Sequence, residues 1–356
     1  MYINTNNASI IVLGGSENQE TSKGNGSKSG ASSAVGKRRA LGDITNNANG
    51  DSSKGQVKKA QFGGEEKEDY SRQETKEHDF SNRSYMQRPA DDIDFRDIDN
   101  PVLCTSYVND MYKLFNIMER QVAVDSNYMS SQKYLNSSMR SILVDWLVEV
   151  HLKFKLVPET LYLAVNLVDR FLEKKEVKRT KLQLVGVAAL LLASKYEEIY
   201  APEIRDLVCI TDRAYSKQEI VQMESDIVKT LEYNLTVPTV HSFLCRYLKA
   251  AHADRTMVQL SCYIAERSIQ EYPMVKFLPS KVAATSVLIA RKSLGRHPWS
   301  PTLVKYTNYD ECDLESCAKE IQNYMSEASS SKQQAVFKKY SSDRFGSASK
   351  LPLSFN

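Results

Sequence analysis

Apolar side chains recur at three- and four-residue steps at Met139, Ile142, Leu143, Trp146, Leu147 and Val150, which puts them on one face of a helix. Asn136-Ser137-Ser138 supplies cap candidates just upstream. Pro158 opens a second helix, whose stripe is Leu161, Val165, Val168 and Leu172. From Leu182 to Ser194 the chain is apolar on nearly every side, the mark of the buried central helix of a bundle. Tyr200-Ala201-Pro202 closes that segment, and a short helix over 204–210 follows. Ser216-Lys217-Gln218-Glu219 reads as a capping box opening a fifth helix, which the pattern carries through Met223, Ile227 and Leu231 to Leu235. No segment alternates as a half-buried strand would. The pattern predicts an all-α protein.

The pattern also repeats, at a fixed offset of 97 residues. Trp146-Leu147 returns as Phe243-Leu244, and Asp169-Arg170 as Glu266-Arg267. The apolar helix at Leu184–Lys195 returns, without a gap, at Lys281–Lys292. Helices of one period match by chance, but three segments holding one offset, with an acid–Arg pair among them, do not. Two copies of one helical domain are expected, joined near Thr236-Val237-Pro238, with boundaries at 101–236 and 237–345 and a tail over 346–356.

Composition marks what precedes them. Eleven of the fourteen glycines fall at or before Gly64, in a stretch otherwise rich in Ser, Asn, Lys and Thr. Such a segment cannot offset its ordering entropy by burial, so a disordered tail is expected over 1–100. Its charge is split, basic over 1–60 and acidic over 61–100.

A formal charge of +3 over 356 residues is too small to argue for direct nucleic-acid binding. The longest run without a polar side chain, Leu184 to Ala193, is ten residues, half a bilayer crossing, so no membrane span is expected. The first residues lack the basic start and long apolar core of a secretory signal. Six cysteines include no C-x-x-C and the five histidines stand apart, which argues against a disulfide scaffold or zinc site and for a reducing, intracellular setting. Gly24–Gly30 follows no predicted strand, and Gly36-Lys37-Arg38 has neither the spacing nor the Ser or Thr of a phosphate loop. No nucleophile–base pair is visible; neither catalytic residues nor a cofactor is expected.

The stretch MRSILVDWLVEVHLKFKLVPETLYLAVNLVDRFL, Met139–Leu172, strongly resembles the cyclin box, and KLQLVGVAALLLASKYEEIYAPEI, Lys181–Ile204, resembles its continuation. The resemblance covers about 103 to 340, including the weaker second copy. Upstream, Arg38, Leu41, Ile44 and Asn46 match the destruction box R-x-x-L-x-x-I-x-N of mitotic cyclins. Box and degron together, with HLKFKL at His151–Leu156, point to the B-type branch, the A-type being the alternative. Tandem cyclin boxes of five helices each are what the resemblance implies for the fold.

For function it implies a regulatory subunit rather than an enzyme, one that binds and activates a cyclin-dependent Ser/Thr kinase in mitosis. Lys195 and Glu224 match the charged pair that cyclins present to the kinase, with Tyr196 and Leu231 as apolar anchors. Read without the family, the pair is an ordinary surface salt bridge. The helix before the box offers Tyr107 and Met111 to the same partner, while Leu114 departs from the usual aromatic. Met139, Ile142, Leu143 and Trp146 match the patch that takes R-x-L motifs of substrates and inhibitors, with Glu149 to pair the Arg and Gln183 lining the groove. Their spacing alone is that of any core helix. Arg140 and Asp169 are expected to form a buried ion pair joining the first two helices.

The degron implies destruction through the anaphase-promoting complex, with Lys54, Lys58 and Lys59 as candidate ubiquitin acceptors. Lys37-Arg38-Arg39 with Lys58-Lys59 suits nuclear import, so a nuclear and cytoplasmic distribution is expected. A different class, the transcription adaptors that also carry paired cyclin boxes, usually shows a zinc ribbon and a markedly basic face; no cysteine quartet exists here.

Overall fold

The structure, a computed structural model, describes residues 89–297 and 299–355. The destruction-box residues and the three candidate acceptor lysines lie outside them. Among the described residues there are helices and turns and no strand.

Helix α1, Thr105–Gln121, precedes the first box. That box consists of α2 (Ser137–Phe154), α3 (Pro158–Lys174), α4 (Leu182–Glu197), α5 (Ile204–Ile210) and α6 (Lys217–Thr230). The second comprises α7 (Val240–Ala250), α8 (Arg255–Gln270), α9 (Pro279–Ser293), α10 (Pro301–Thr307) and α11 (Glu311–Met325), and α12 (Ala335–Ser341) follows it. Shifting α5 by the 97-residue offset lands on both ends of α10, and α3 and α4 start in register with α8 and α9.

Local chemistry sets the helix starts. Asn136 Oδ1 accepts from the Met139 amide at 3.0 Å ahead of α2. The expected capping box opens α6: Ser216 Oγ accepts from the Glu219 amide at 3.2 Å, and Glu219 Oε2 from the Ser216 amide at 3.0 Å. The fifth helix is shorter than the apolar pattern predicts. It stops at Thr230 because Glu232 and Tyr233 take left-handed φ values of 53° and 62°. Leu231 and Leu235 continue the pattern because the crossing to the second box packs on the same core.

α4 is the centre of the first box, buried from Leu182 through Ser194 apart from Gln183. α9 plays that part in the second. The repeated acid–Arg pair diverges in use. Asp169 receives Arg140 of α2, whereas Glu266 receives Lys339 of α12 at 2.7 Å and the Tyr340 hydroxyl at 2.9 Å.

The boxes meet along a polar seam. Arg140 Nη1 and Ser141 Oγ both donate to the Gln270 carbonyl, at 3.2 and 3.1 Å. Asp145 Oδ1 accepts from Gln270 Nε2 and from the Ala335 amide, at 2.6 and 2.9 Å. The acidic segment ahead of α1 also lies on the second box. Asp94 accepts Nη1 and Nη2 of Arg246, both at 2.6 Å, and Lys249 Nζ at 2.7 Å, and the Arg246 guanidinium stands over the rings of Tyr112 and Tyr306. Burial alone would raise the Asp94 carboxyl, but these two cations hold it below the usual carboxylate range. The closing residues, delimited in sequence as a tail beyond the second box, pack onto it: Ala348 is fully buried, and the Ser354 amide donates to Ser293 Oγ at 2.9 Å.

Candidate protein-docking surfaces

The first surface lies where α4 returns to solvent. Lys195 Nζ donates to Glu224 Oε1 at 2.6 Å, with Lys195 still half exposed and Glu224 mostly covered. Tyr196 is exposed, its hydroxyl 2.5 Å from Thr236 Oγ1. Further along the chain, Ile199 and Tyr200 just past α4 are 81% and 90% exposed, and Tyr233 just past α6 is 72% exposed. Large, mostly apolar side chains in water at the ends of the two helices that carry a fixed charge pair resemble a protein interface more than ordinary surface. Glu198 stiffens the base by accepting from the Val157 amide at 2.7 Å and the Thr160 hydroxyl at 2.6 Å.

Leu231 does not belong to this surface. At 2% exposure it is packed in the core, because the backbone turns directly after α6 and carries the side chain inward. The large side chains left in water in these segments are instead Ile199, Tyr200 and Tyr233. In sequence, Tyr200-Ala201-Pro202 signals only a helix stop, and nothing in periodicity separates an exposed aromatic from a buried one.

α1 presents a second apolar face. Tyr107, Leu114 and Ile117 are each more than half exposed, and Met111 is half-buried. The opposite face is fixed to the second box: the Tyr112 hydroxyl donates to the Ser242 carbonyl at 2.9 Å, Phe115 meets Phe243 edge-on, and Glu119 accepts from the Ser280 amide and hydroxyl at 2.9 and 2.7 Å.

The groove candidate runs between α2 and α4. Ile142 is 58% exposed, Met139, Trp146 and Gln183 are half-buried, and Glu149 is exposed. Leu143 differs from its expected part in an open patch. It is buried against Gly186 of α4, so it underlies the groove instead of lining it. Ser141, one residue from Ile142, turns to the seam and binds Gln270, away from the groove.

The Arg140–Asp169 pair is as expected and more elaborate. Arg140 donates through Nε and Nη2 to both carboxylate oxygens, at 2.6 and 2.7 Å, and the Tyr128 hydroxyl adds a third bond at 2.8 Å. With Arg140 at 2% exposure this is a structural junction, out of reach of a partner. Among the described residues no group of His, Cys, Asp and Glu is placed to hold a metal ion, and no helix is long and apolar enough to cross a membrane.

Residues 110–236 match the family model of the cyclin N-terminal domain and residues 238–354 that of the cyclin C-terminal domain. Cyclin-B2-1 of Oryza sativa subsp. japonica is 46% identical over 260 residues, covering 73% of this chain and 62% of the rice protein. The match therefore spans less than two thirds of that relative's length. The G2/mitotic-specific cyclin-B of Hydra vulgaris is 44% identical over 269 residues, covering 76% of this chain and 74% of its own. Among solved structures, a viral cyclin from herpesvirus saimiri shares the fold at a TM-score of 0.55 and 18% identity, over 60% of this chain and 96% of the viral one.

Proposed function

The chain belongs to the cyclin family, and from that premise we propose that it is a mitotic, B-type regulatory subunit, itself no enzyme, that binds and activates a cyclin-dependent Ser/Thr kinase. The observation that carries this reading is the Lys195–Glu224 pair at 2.6 Å beside exposed Tyr196, Ile199 and Tyr200. Fixed charges orient a partner and reject wrong ones, while desolvated aromatics supply most of the affinity. The outer face of α1, through Tyr107 and Met111, offers the kinase a second footing. Purified protein added to a monomeric cyclin-dependent kinase should raise its activity, and Lys195→Ala/Glu224→Ala should not; equal activation by both would overturn the assignment.

The groove of Ile142, Met139, Trp146 and Gln183 suits an R-x-L peptide, its leucine on the apolar floor and its arginine at Glu149. Ile142→Asp should abolish peptide capture and leave kinase activation intact.

Lifetime is the third element of the proposal. Arg38, Leu41, Ile44 and Asn46 serve as the signal for the anaphase-promoting complex, and Lys54, Lys58 and Lys59 as acceptors. Arg38→Ala/Leu41→Ala should stabilise the protein through mitotic exit; disappearance on the wild-type schedule would remove the motif from consideration. Its distribution between nucleus and cytoplasm follows the cell cycle in the same proposal, tested by imaging a fluorescent fusion with and without Lys37→Ala/Arg39→Ala.

A further inference from the structure

We infer that the loop joining α3 to α4 reads a run of acidic residues that follows the leucine of a docked peptide, a statement resting on the groove reading proposed above. Residues 174–181 carry Lys174, Lys175, Lys178, Arg179 and Lys181 against a single acid, Glu176. Glu176 is taken by Lys133 at 3.1 Å, and Lys181 is taken by Glu219 at 2.8 Å. Lys174, Lys175, Lys178 and Arg179 are exposed. Among the described residues these four positive charges have no ion-pair partner.

A charge run on a mobile flap is usually a solvated face. This loop is held. Buried Gln132 donates through Nε2 to the carbonyls of Leu172 and Lys175, at 2.5 and 2.6 Å, and its Oε1 accepts from the Val177 amide at 3.0 Å. Val177 is itself buried, and the Tyr215 hydroxyl donates to the Thr180 carbonyl at 2.8 Å.

Position supplies the rest of the argument. Gln132 lies just ahead of α2, so its bonds fasten the loop beside the start of that helix, and the loop runs directly into α4 and Gln183. The four cations therefore stand where both walls of the groove begin. Glu149 lies seven residues beyond Ile142 along α2, about 10 Å at the rise of a helix. A peptide with its arginine at Glu149 and its leucine at Ile142 and Met139 continues toward the start of α2, into the field of the loop. Three of the four cations are lysines, hydrated point charges on flexible stems, and they are spread along the loop and do not converge on one buried point. That arrangement suits several carboxylates in sequence better than a single phosphate, which favours converging planar forks. Such complementarity acts through association rate and partner choice, and salt screens it.

The test measures fluorescence anisotropy of three synthetic peptides against the full chain and its Lys174→Gln/Lys175→Gln/Lys178→Gln/Arg179→Gln variant. Each peptide carries one R-x-L core, followed by Gly-Ser residues, by a run of Asp and Glu, or by a single phosphoserine among Gly-Ser. Titrations are run at about 0.1 M and about 1 M salt, where the screening length falls from about 10 Å to about 3 Å. Wild type should bind the acidic peptide about tenfold tighter than the neutral one at the lower salt. The gap should close at high salt and shrink to within about twofold in the quadruple variant. Equal binding of acidic and neutral peptides by wild type, or a gap that survives in the variant, overturns the inference and leaves the groove reading standing. A phosphoserine peptide bound tightest, with the acidic one no better than neutral, makes the loop a phosphate reader instead. If no peptide binds wild type, the groove reading itself fails and this inference falls with it.

Discussion

Leu143 of α2 and Gly186 of α4 approach so closely that a β-carbon on the glycine would stand 2.6 Å from Leu143 Cδ1. The glycine is needed there for lack of a side chain; it sits mid-helix and needs no unusual backbone angle. Gly186→Ala should therefore destabilise the first box by about 1–3 kcal/mol, despite the better helix propensity of alanine. Urea unfolding of Gly186→Ala, Leu143→Ala and the double variant checks it. The two changes should couple, the pair costing less than the sum of the singles; strict additivity would mean the contact is not the cause.

The junction of Arg140 and Asp169 makes a second prediction. Because both partners are buried and doubly hydrogen-bonded, removing one leaves the other unpaired. Arg140→Ala or Asp169→Ala should each cost about 3–5 kcal/mol, while Arg140→Met/Asp169→Leu should recover much of that loss. Denaturation midpoints of the three variants decide the matter. Equal losses in singles and double would contradict it.

Interface and core separate cleanly in a third comparison. Lys195→Glu/Glu224→Lys reverses a pair at the surface whose lysine is half exposed and keeps both charges present, so stability should move by no more than about 1 kcal/mol while kinase capture is lost. Tyr200→Ala, at a side chain 90% exposed, should behave alike. Leu231→Ala should instead cost about 2–5 kcal/mol, from its cavity in the core. Thermal unfolding beside a kinase pull-down sorts the variants; an unstable Tyr200→Ala or a stable Leu231→Ala would reverse the assignment.

His151 sets a pH dependence. Burial, with the Lys339 charge nearby, pushes its imidazole from 6.5 down to about 4. Nε2 stands 3.0 Å from the Val157 carbonyl and Nδ1 has no hydrogen-bond partner among the described residues, which suits the neutral ring donating from Nε2. The neutral form is thus favoured in the folded state. Its contribution is complete above pH 6.5 and is lost as pH falls from there toward about 4, up to about 3 kcal/mol in all. His151→Gln should flatten that part of the stability–pH curve; an unchanged slope would assign the loss to other groups.

Much of this architecture is legible before any coordinates, and the misses share a physical reason. The short helix Ile204–Ile210 falls where the pattern puts it, and its repeat at Pro301–Thr307 keeps the offset, because amphipathic spacing and proline placement are local. Leu231 and Leu235 mislead because periodicity reports which side chains share a core, and the backbone that brings them there need not be helical. Leu143 misleads for a related reason: one stripe holds both the floor of a groove and the core below it, and only the approach of Gly186 separates the two. Ile199 and Tyr200 leave no periodic trace, since exposure depends on what fails to cover them.

The Asp94 clasp has a mechanical consequence. Asp94 and Arg246 are 152 residues apart in the chain and in contact in space, so tension applied to the segment before residue 91 does not begin with the nearest helices. It is carried by a carboxylate gripped by two cations into α7, so the second box takes load before α1 does. An unfoldase working inward from the amino end would have to break this grip before it could peel α1.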